Sequence, residues 1–268
     1  MPLEFLKKGE SRSKNKANDD KSAALHRSTR TETGTAVPTF HRFPQQSLVS
    51  SNTHEEIDFE NRSKGRKDIH AFERALYQRG YQRIAGVDEA GRGPLAGPVV
   101  ASAVILPLDC AIVGIMDSKQ LTAKQRDVLF DEIREAAVSI GISYMDSKTI
   151  DQVNILQATM QAMRESIEQI DPSPDYVIVD GTHIPAVSIP TKAIPKGDSL
   201  SQSVAAASII AKVTRDRLMI ELDKVYPQYG FRQHKGYGTD QHRQALIQFG
   251  PCPIHRRTFR PVSELSEH

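Results

Sequence analysis

From Asp68 onward, apolar residues recur at spacings that predict regular elements, whereas the first 66 positions show no such period. Ile69, Phe72, Leu76 and Tyr77 share one helical face, with Asp68 placed to cap the helix and Gly80 to end it. Two Val- and Ile-rich runs, 84–88 and 98–106, predict strands. "DSKQLTAKQRDVLFDEIREAAV" predicts a loop and then a helix with Leu129, Ile133 and Ala137 on one face, and "IGISYM" a strand. Leu156, Met160, Met163, Ile167 and Ile170 step by 4, 3, 4 and 3, which predicts a helix over 154–170 that "DPSP" breaks. "YVIVDG" then reads as a buried strand ended by Asp180, and a further strand is expected near 187–194. A long helix containing "AAASIIAK" follows from about 199 to 222, and another lies near 240–249 among loops. Strands come first and then alternate with helices. The pattern predicts an α/β domain with a mixed β-sheet flanked by helices and a helical C-terminal portion.

Composition sharpens the division at residue 66. The 268-residue chain is 38% hydrophobic, enough for a core, but "SRSKNKANDDKSAALHRSTRTETGT" offers little apolar surface to offset ordering entropy. Residues 1–66 are therefore expected to form a disordered polar tail and 67–268 the folded domain. A net charge of +2 means that any nucleic-acid contact must come from local clustering of charge. Cys110 and Cys252 lie far apart without metal-type spacing, as expected of a cytoplasmic protein in a reducing compartment. No run of 18 apolar residues occurs, so no membrane partner is expected.

The chemistry concentrates in "IAGVDEAGRGPLAGPVVASAVIL". Two adjacent acids, Asp88 and Glu89, close an apolar strand and lead into a glycine-rich turn carrying Arg92. Successive side chains of a regular strand point to opposite faces, so the two acids meet at one site only if the strand stops there, as "AGRG" suggests. Asp180 ends another apolar run, and paired strands would bring it beside Asp88; alternatively it serves a plain Asp-Gly turn. Asp198 in "KGDS" suits a helix N-cap as well as an acidic site. Clustered carboxylates either take up a proton or bind hard divalent cations, and oxygen ligands favour Mg²⁺ or Mn²⁺. Paired ions of that kind serve phosphodiester cleavage. The glycine turn is no P-loop, since G-x-x-x-x-G-K-[ST] is missing, but it lets backbone amides approach a ligand closely. Lys119, Lys196, Lys212 and Lys235 are ordinary surface lysines singly. Gathered around the acids with Tyr237, they would line a groove for a polyanion.

"AGVDEAGRGPLAGPVVASAVIL", "DSKQLT", "NILQATMQAM", "VIVDG", "KGD", "AAASIIAKVTRDRLM", "YPQYGF", "HKGYGT" and "HRRTFRPV" together resemble ribonuclease HII, the bacterial type 2 ribonuclease H, in order from about residue 70 to 263. The resemblance implies a ribonuclease H-like fold over 67–268. It implies an endonuclease that hydrolyses the RNA strand of RNA–DNA hybrids and incises 5′ to single ribonucleotides in duplex DNA, leaving 3′-hydroxyl and 5′-phosphate ends. By the same resemblance, Asp88, Glu89, Asp180 and Asp198 are the catalytic acids and the ligands of two Mn²⁺ or Mg²⁺ ions. Gly91, Arg92 and Gly93 contact the ribose 2′-hydroxyl, and Tyr237 stacks on the following sugar. Lys119 and Lys212 are expected on neighbouring phosphates, and a monomer is expected. A Cβ at Gly91 or Gly93 is expected to harm activity more than stability. A junction resolvase, a non-catalytic nucleic-acid module and an NTP-binding switch are the rival readings; the last lacks its P-loop.

Overall fold

A computed structural model of the chain describes residues 68–110, 112–115 and 121–265. The expectation for the polar segment 1–66 lies outside these residues, as does Lys119. Five strands form one sheet in the order β3-β2-β1-β4-β5: β1 (Ile84–Ala90), β2 (Val99–Ile105), β3 (Ser139–Met145), β4 (Tyr176–Asp180) and β5 (Thr191–Ile194). β1, β2 and β3 pair antiparallel, while β1–β4 and β4–β5 are parallel, so the sheet is mixed. β5 is shorter than the expected 187–194: it starts directly after Pro190, which has no amide to donate to a ladder.

The helices are α1 (Ala71–Gln78), α2 (Ala123–Ala136), α3 (Ser147–Glu168), α4 (Gln202–Val225), α5 (Phe231–His234), α6 (Asp240–Phe249) and α7 (Val262–Leu265). α2 starts with a capping box in which Thr122 and Gln125 satisfy each other's backbone amides. α3 begins earlier than its apolar period implies, and at Asn154 (φ 69°) two helical stretches meet. The Asn154 side chain accepts from the amides of Leu156 and Gln157, so it caps the second stretch, where the apolar period starts. The buried face of that stretch is offset from the predicted one. Ala158, Thr159, Ala162 and Ser166 lie fully inside with Met163 and Ile167, because small side chains let the helix approach the sheet.

Two apolar layers enclose the sheet. Ala85, Val87, Val99, Ala101 and Val177 pack on α3 residues on one face, while Val104 joins Ala205, Ala206, Ile209 and Ile210 of α4 and residues of α2 on the other. The stretch Val204–Ala211 of α4 is apolar nearly all round, as suits a helix packed across the centre of the sheet. Its first turn crosses the sheet at Gly86, where a Cβ would stand 2.1 Å from the Ser203 carbonyl carbon. Any larger residue there would lift α4 off the sheet.

Candidate active site and nucleic-acid interface

The site forms at the C-terminal ends of the parallel strands β1 and β4, where ligand sites of α/β sheets gather. Val87 pairs with Val179, so Asp88 and Asp180 are the next residues in register. The expectation that β1 stops at the acids is corrected: Asp88, Glu89 and Ala90 remain paired with Ser102, Ala101 and Val100 of β2. Only the edge facing β4 has lost its partner. Pairing with β2 thus continues past both acids, yet Glu89 stays near enough to Asp88 and Asp180 for their charges to act on one another.

Asp88 is 6% exposed and its Oδ1 accepts from the Glu89 amide at 2.7 Å. Burial, then the charges of Glu89 and Asp180, push its carboxyl well above the usual carboxylate range. Burial also raises Glu89 against the pull of Arg92, whose Nη1 lies 3.3 Å from Glu89 Oε1, and Asp180 adds to the rise. Asp180 Oδ1 accepts from the Gly197 amide at 2.6 Å, which ties the "KGD" turn to β4. Lys196 enters that turn in the left-handed region (φ 61°), and buried Asp198 lies within its 3-10 segment Gly197–Ser199. The helix-cap reading of Asp198 is corrected: Ser201 caps α4, its hydroxyl accepting from the Val204 amide.

The glycine-rich turn is held from beneath by two buried arginines that residue patterning did not single out. Arg215 on α4 donates from Nε to Pro98 O (2.9 Å), from Nη2 to Ala96 O (3.1 Å) and from Nη1 to Lys235 O (3.0 Å). Arg256 donates to Gly91 O (2.6 Å), Arg92 O (2.8 Å) and Gly97 O (3.1 and 3.0 Å). Burial pushes the two guanidinia down, to about 10 and about 9, still charged at neutral pH. One signal was available: Arg215 lies four residues from both Ala211 and Met219, on the apolar stripe of its helix.

Gly91 (φ +98°) and Gly93 differ in what they tolerate. A Cβ at Gly91 would stand 2.0 Å from Arg215 Nε and 2.8 Å from Pro98 O, whereas one at Gly93 would meet only Tyr237 Cε1, at 3.9 Å. The expectation that both glycines matter to activity rather than stability is thus corrected for Gly91, whose small size is a packing requirement. Gly93 faces Tyr237, which is 44% exposed and presents a ring to solvent. Lys212 Nζ lies 6.0 Å from the centroid of that ring and donates to Asp216 at 2.7 Å.

Beneath Tyr237 runs a directional chain of neutral imidazoles. The Cys252 amide donates to His255 Nδ1 (3.0 Å), which leaves the His255 proton on Nε2 to donate to His242 Nε2 (2.9 Å). His242 then donates from Nδ1 to Tyr237 O (2.9 Å). Burial lowers His242 to about 4 and His255 to about 3, which keeps both neutral. His234 stacks on His242 with ring centroids 4.5 Å apart.

Among the described residues, no group of three or more His, Cys, Asp or Glu stands close enough to hold a metal ion. Asp88, Glu89, Asp180 and Asp198 are thus not drawn into a closed ligand set. Oxygens of Asp88, Glu89 and Asp180 accept instead from the Glu89 amide, from Arg92 and from the Gly197 amide. The chemistry of the donors nevertheless fits a hard divalent cation, because all four are carboxylates and the buried Asp88 feels the charges of Glu89 and Asp180.

A mixed sheet with acids at the ends of its central parallel strands, flanked by a helical C-terminal part, defines a ribonuclease H-type fold. Residues 85–262 match the family described as Ribonuclease HII. A Ribonuclease HII of Ruminiclostridium cellulolyticum is 58% identical over 189 residues, 70% of this chain and 74% of its own length. One of Enterococcus faecalis is 52% identical over 199 residues, 74% of this chain and 78% of its own. The crystal structure of ribonuclease H2 from Pyrococcus horikoshii superposes with a TM-score of 0.60 at 29% identity, covering 69% of this chain and 98% of that one. The chain belongs to the ribonuclease HII family, and is an endoribonuclease that acts on nucleic acid. Among the described residues, no helix is long and apolar enough to cross a membrane.

Proposed function

We propose that the protein hydrolyses the RNA strand of RNA–DNA hybrids and incises 5′ to single ribonucleotides embedded in duplex DNA, leaving 3′-hydroxyl and 5′-phosphate ends. One observation carries this reading: the acids at the ends of β1 and β4 are linked through the Glu89–Arg92 ion pair to a turn whose Gly93 faces the exposed Tyr237 ring. Acids suited to cations thus adjoin an open backbone and an aromatic face, the combination needed to cut a phosphodiester beside a recognised sugar. Asp88, Glu89, Asp180 and Asp198 would hold Mn²⁺ or Mg²⁺, which supply water activation and neutralise charge on the leaving oxygen. The backbone of Gly91, Arg92 and Gly93 reads the 2′-hydroxyl, the one group that separates ribose from deoxyribose. Tyr237 packs on the neighbouring sugar, and Lys212 and Lys119 meet phosphates; Lys212 must leave Asp216 to do so. The Arg92 guanidinium opposes the rise that burial imposes on the Glu89 carboxyl. The same reading takes 67–268 as the catalytic domain of a cytoplasmic monomer.

Gel analysis of a DNA duplex carrying one ribonucleotide, with Mn²⁺ or Mg²⁺, tests the proposal. A nick 5′ to the ribonucleotide is expected, with none in an all-DNA duplex. Equal cutting of both duplexes would replace this reading with a nuclease blind to the sugar.

A further inference from the structure

Arg215 is fully buried, yet every nitrogen of its guanidinium donates to a backbone carbonyl, and those carbonyls belong to two different substrate-facing loops. Pro98 O and Ala96 O lie on the glycine-rich loop, and Lys235 O on the loop that carries Tyr237. The same side chain fills the space left by the missing Cβ of Gly91. The two loops also bond directly, Leu95 N to Gly236 O at 2.8 Å, and the Arg256 guanidinium bonds to carbonyls of the glycine-rich loop. A planar fork with fixed donor directions sets the distance between two segments, which a flexible ammonium cannot do. The Arg215 carbon Cζ lies 5.9 Å from the centroid of the Tyr237 ring.

We propose that Arg215 is a positioning residue for ribose recognition, whose guanidinium welds the glycine-rich loop and the Tyr237 loop at one separation. The inference rests on the function proposed above for these loops. Recognition of a single hydroxyl requires the turn and the ring to be in place together, and Arg215 adds three bonds across the two loops to the direct Leu95–Gly236 bond. A merely structural arginine would stabilise each loop without coupling their effects on turnover.

Arg215→Lys tests this, alone and combined with Tyr237→Ala, using the duplex with one ribonucleotide and amide hydrogen exchange. In the single variant the amides of Leu95 and Tyr237 are expected to lose protection together while those of β1 and β4 keep theirs. The kcat is expected to fall on the order of tenfold or more with KM little changed, since misplacement by about 1 Å costs up to about 10²-fold. In the Tyr237→Ala background the same substitution is expected to cost far less, because the two side chains act through one arrangement. Equal losses in both backgrounds, or loops that keep their protection, would overturn the proposal. If Arg215→Lys does not fold, Arg215→Gln takes its place with the same outcomes. A wild-type protein that cuts no ribonucleotide-containing duplex would sink the substrate reading instead, and the exchange data alone would then decide whether Arg215 couples the loops.

Discussion

Gly91 and Gly93 sit two residues apart and carry different burdens. Gly91 has a left-handed backbone, and any side chain there meets the Arg215 guanidinium and a carbonyl oxygen. Gly91→Ala is expected to destabilise the protein by about 2–4 kcal/mol, combining backbone strain with overpacking of a closed site. Gly93→Ala adds a methyl at ordinary contact distance from Tyr237 and is expected to leave the melting temperature within a few degrees of wild type while slowing incision. Thermal melts beside single-turnover cutting separate the two, and a Gly93→Ala protein that unfolds would remove Gly93 from the site. Both glycines were legible in "GRG" as special positions. Their division of labour was not, because it depends on Arg215, which arrives from a helix more than a hundred residues later.

At the scale of the element, the start of α4 shows how neighbouring polar residues share tasks. Ser201 caps the helix and donates to Glu73 Oε1 at 2.6 Å, and the Ser203 amide donates to the same oxygen at 3.1 Å. Glu73 is buried and lies on the inward face of α1, where the apolar period alone gave no reason to expect a carboxylate. Ser201→Ala is expected to cost about 1–3 kcal/mol in denaturant unfolding, since the cap is lost and a buried carboxylate loses a donor. Its kcat should stay near wild type. Asp198→Ala is expected to show the reverse, loss of cutting with the α4 cap intact. Nuclease activity retained by Asp198→Ala would withdraw Asp198 from the catalytic acids. Helix periodicity placed α4 within three residues at each end but left its cap open, because Asp, Ser and Gly in "KGDSLSQS" all suit that role and only the 3-10 turn decides among them.

At the scale of the whole molecule, the acidic centre is held at the expense of stability. Asp88 has a folded pKa raised above its ordinary value by burial and by its acidic neighbours. Such a group contributes stability below the unfolded value of about 3.8, and this contribution is lost as pH rises through the folded value. At neutral pH the buried Asp88 carboxyl therefore weakens the fold. Asp88→Asn keeps the oxygen that accepts the Glu89 amide and removes the charge. It is expected to abolish cutting while raising the melting temperature at pH 7, with the gain shrinking as pH falls towards 4. An Asp88→Asn protein less stable than wild type at pH 7 would show that the carboxylate is not under electrostatic strain. The sequence by itself determined the element order, the mixed α/β class and the acids, glycines and tyrosine of the candidate site, because periodicity and motif spacing are local properties of the chain. Only the tertiary structure decided that β1 continues past its acids, that Ser201 and not Asp198 caps α4, and that Arg215 and the His255–His242 chain underlie the two loops. Each of those turns on which distant backbone group lies within hydrogen-bonding reach, and that distance exists only after the chain has packed.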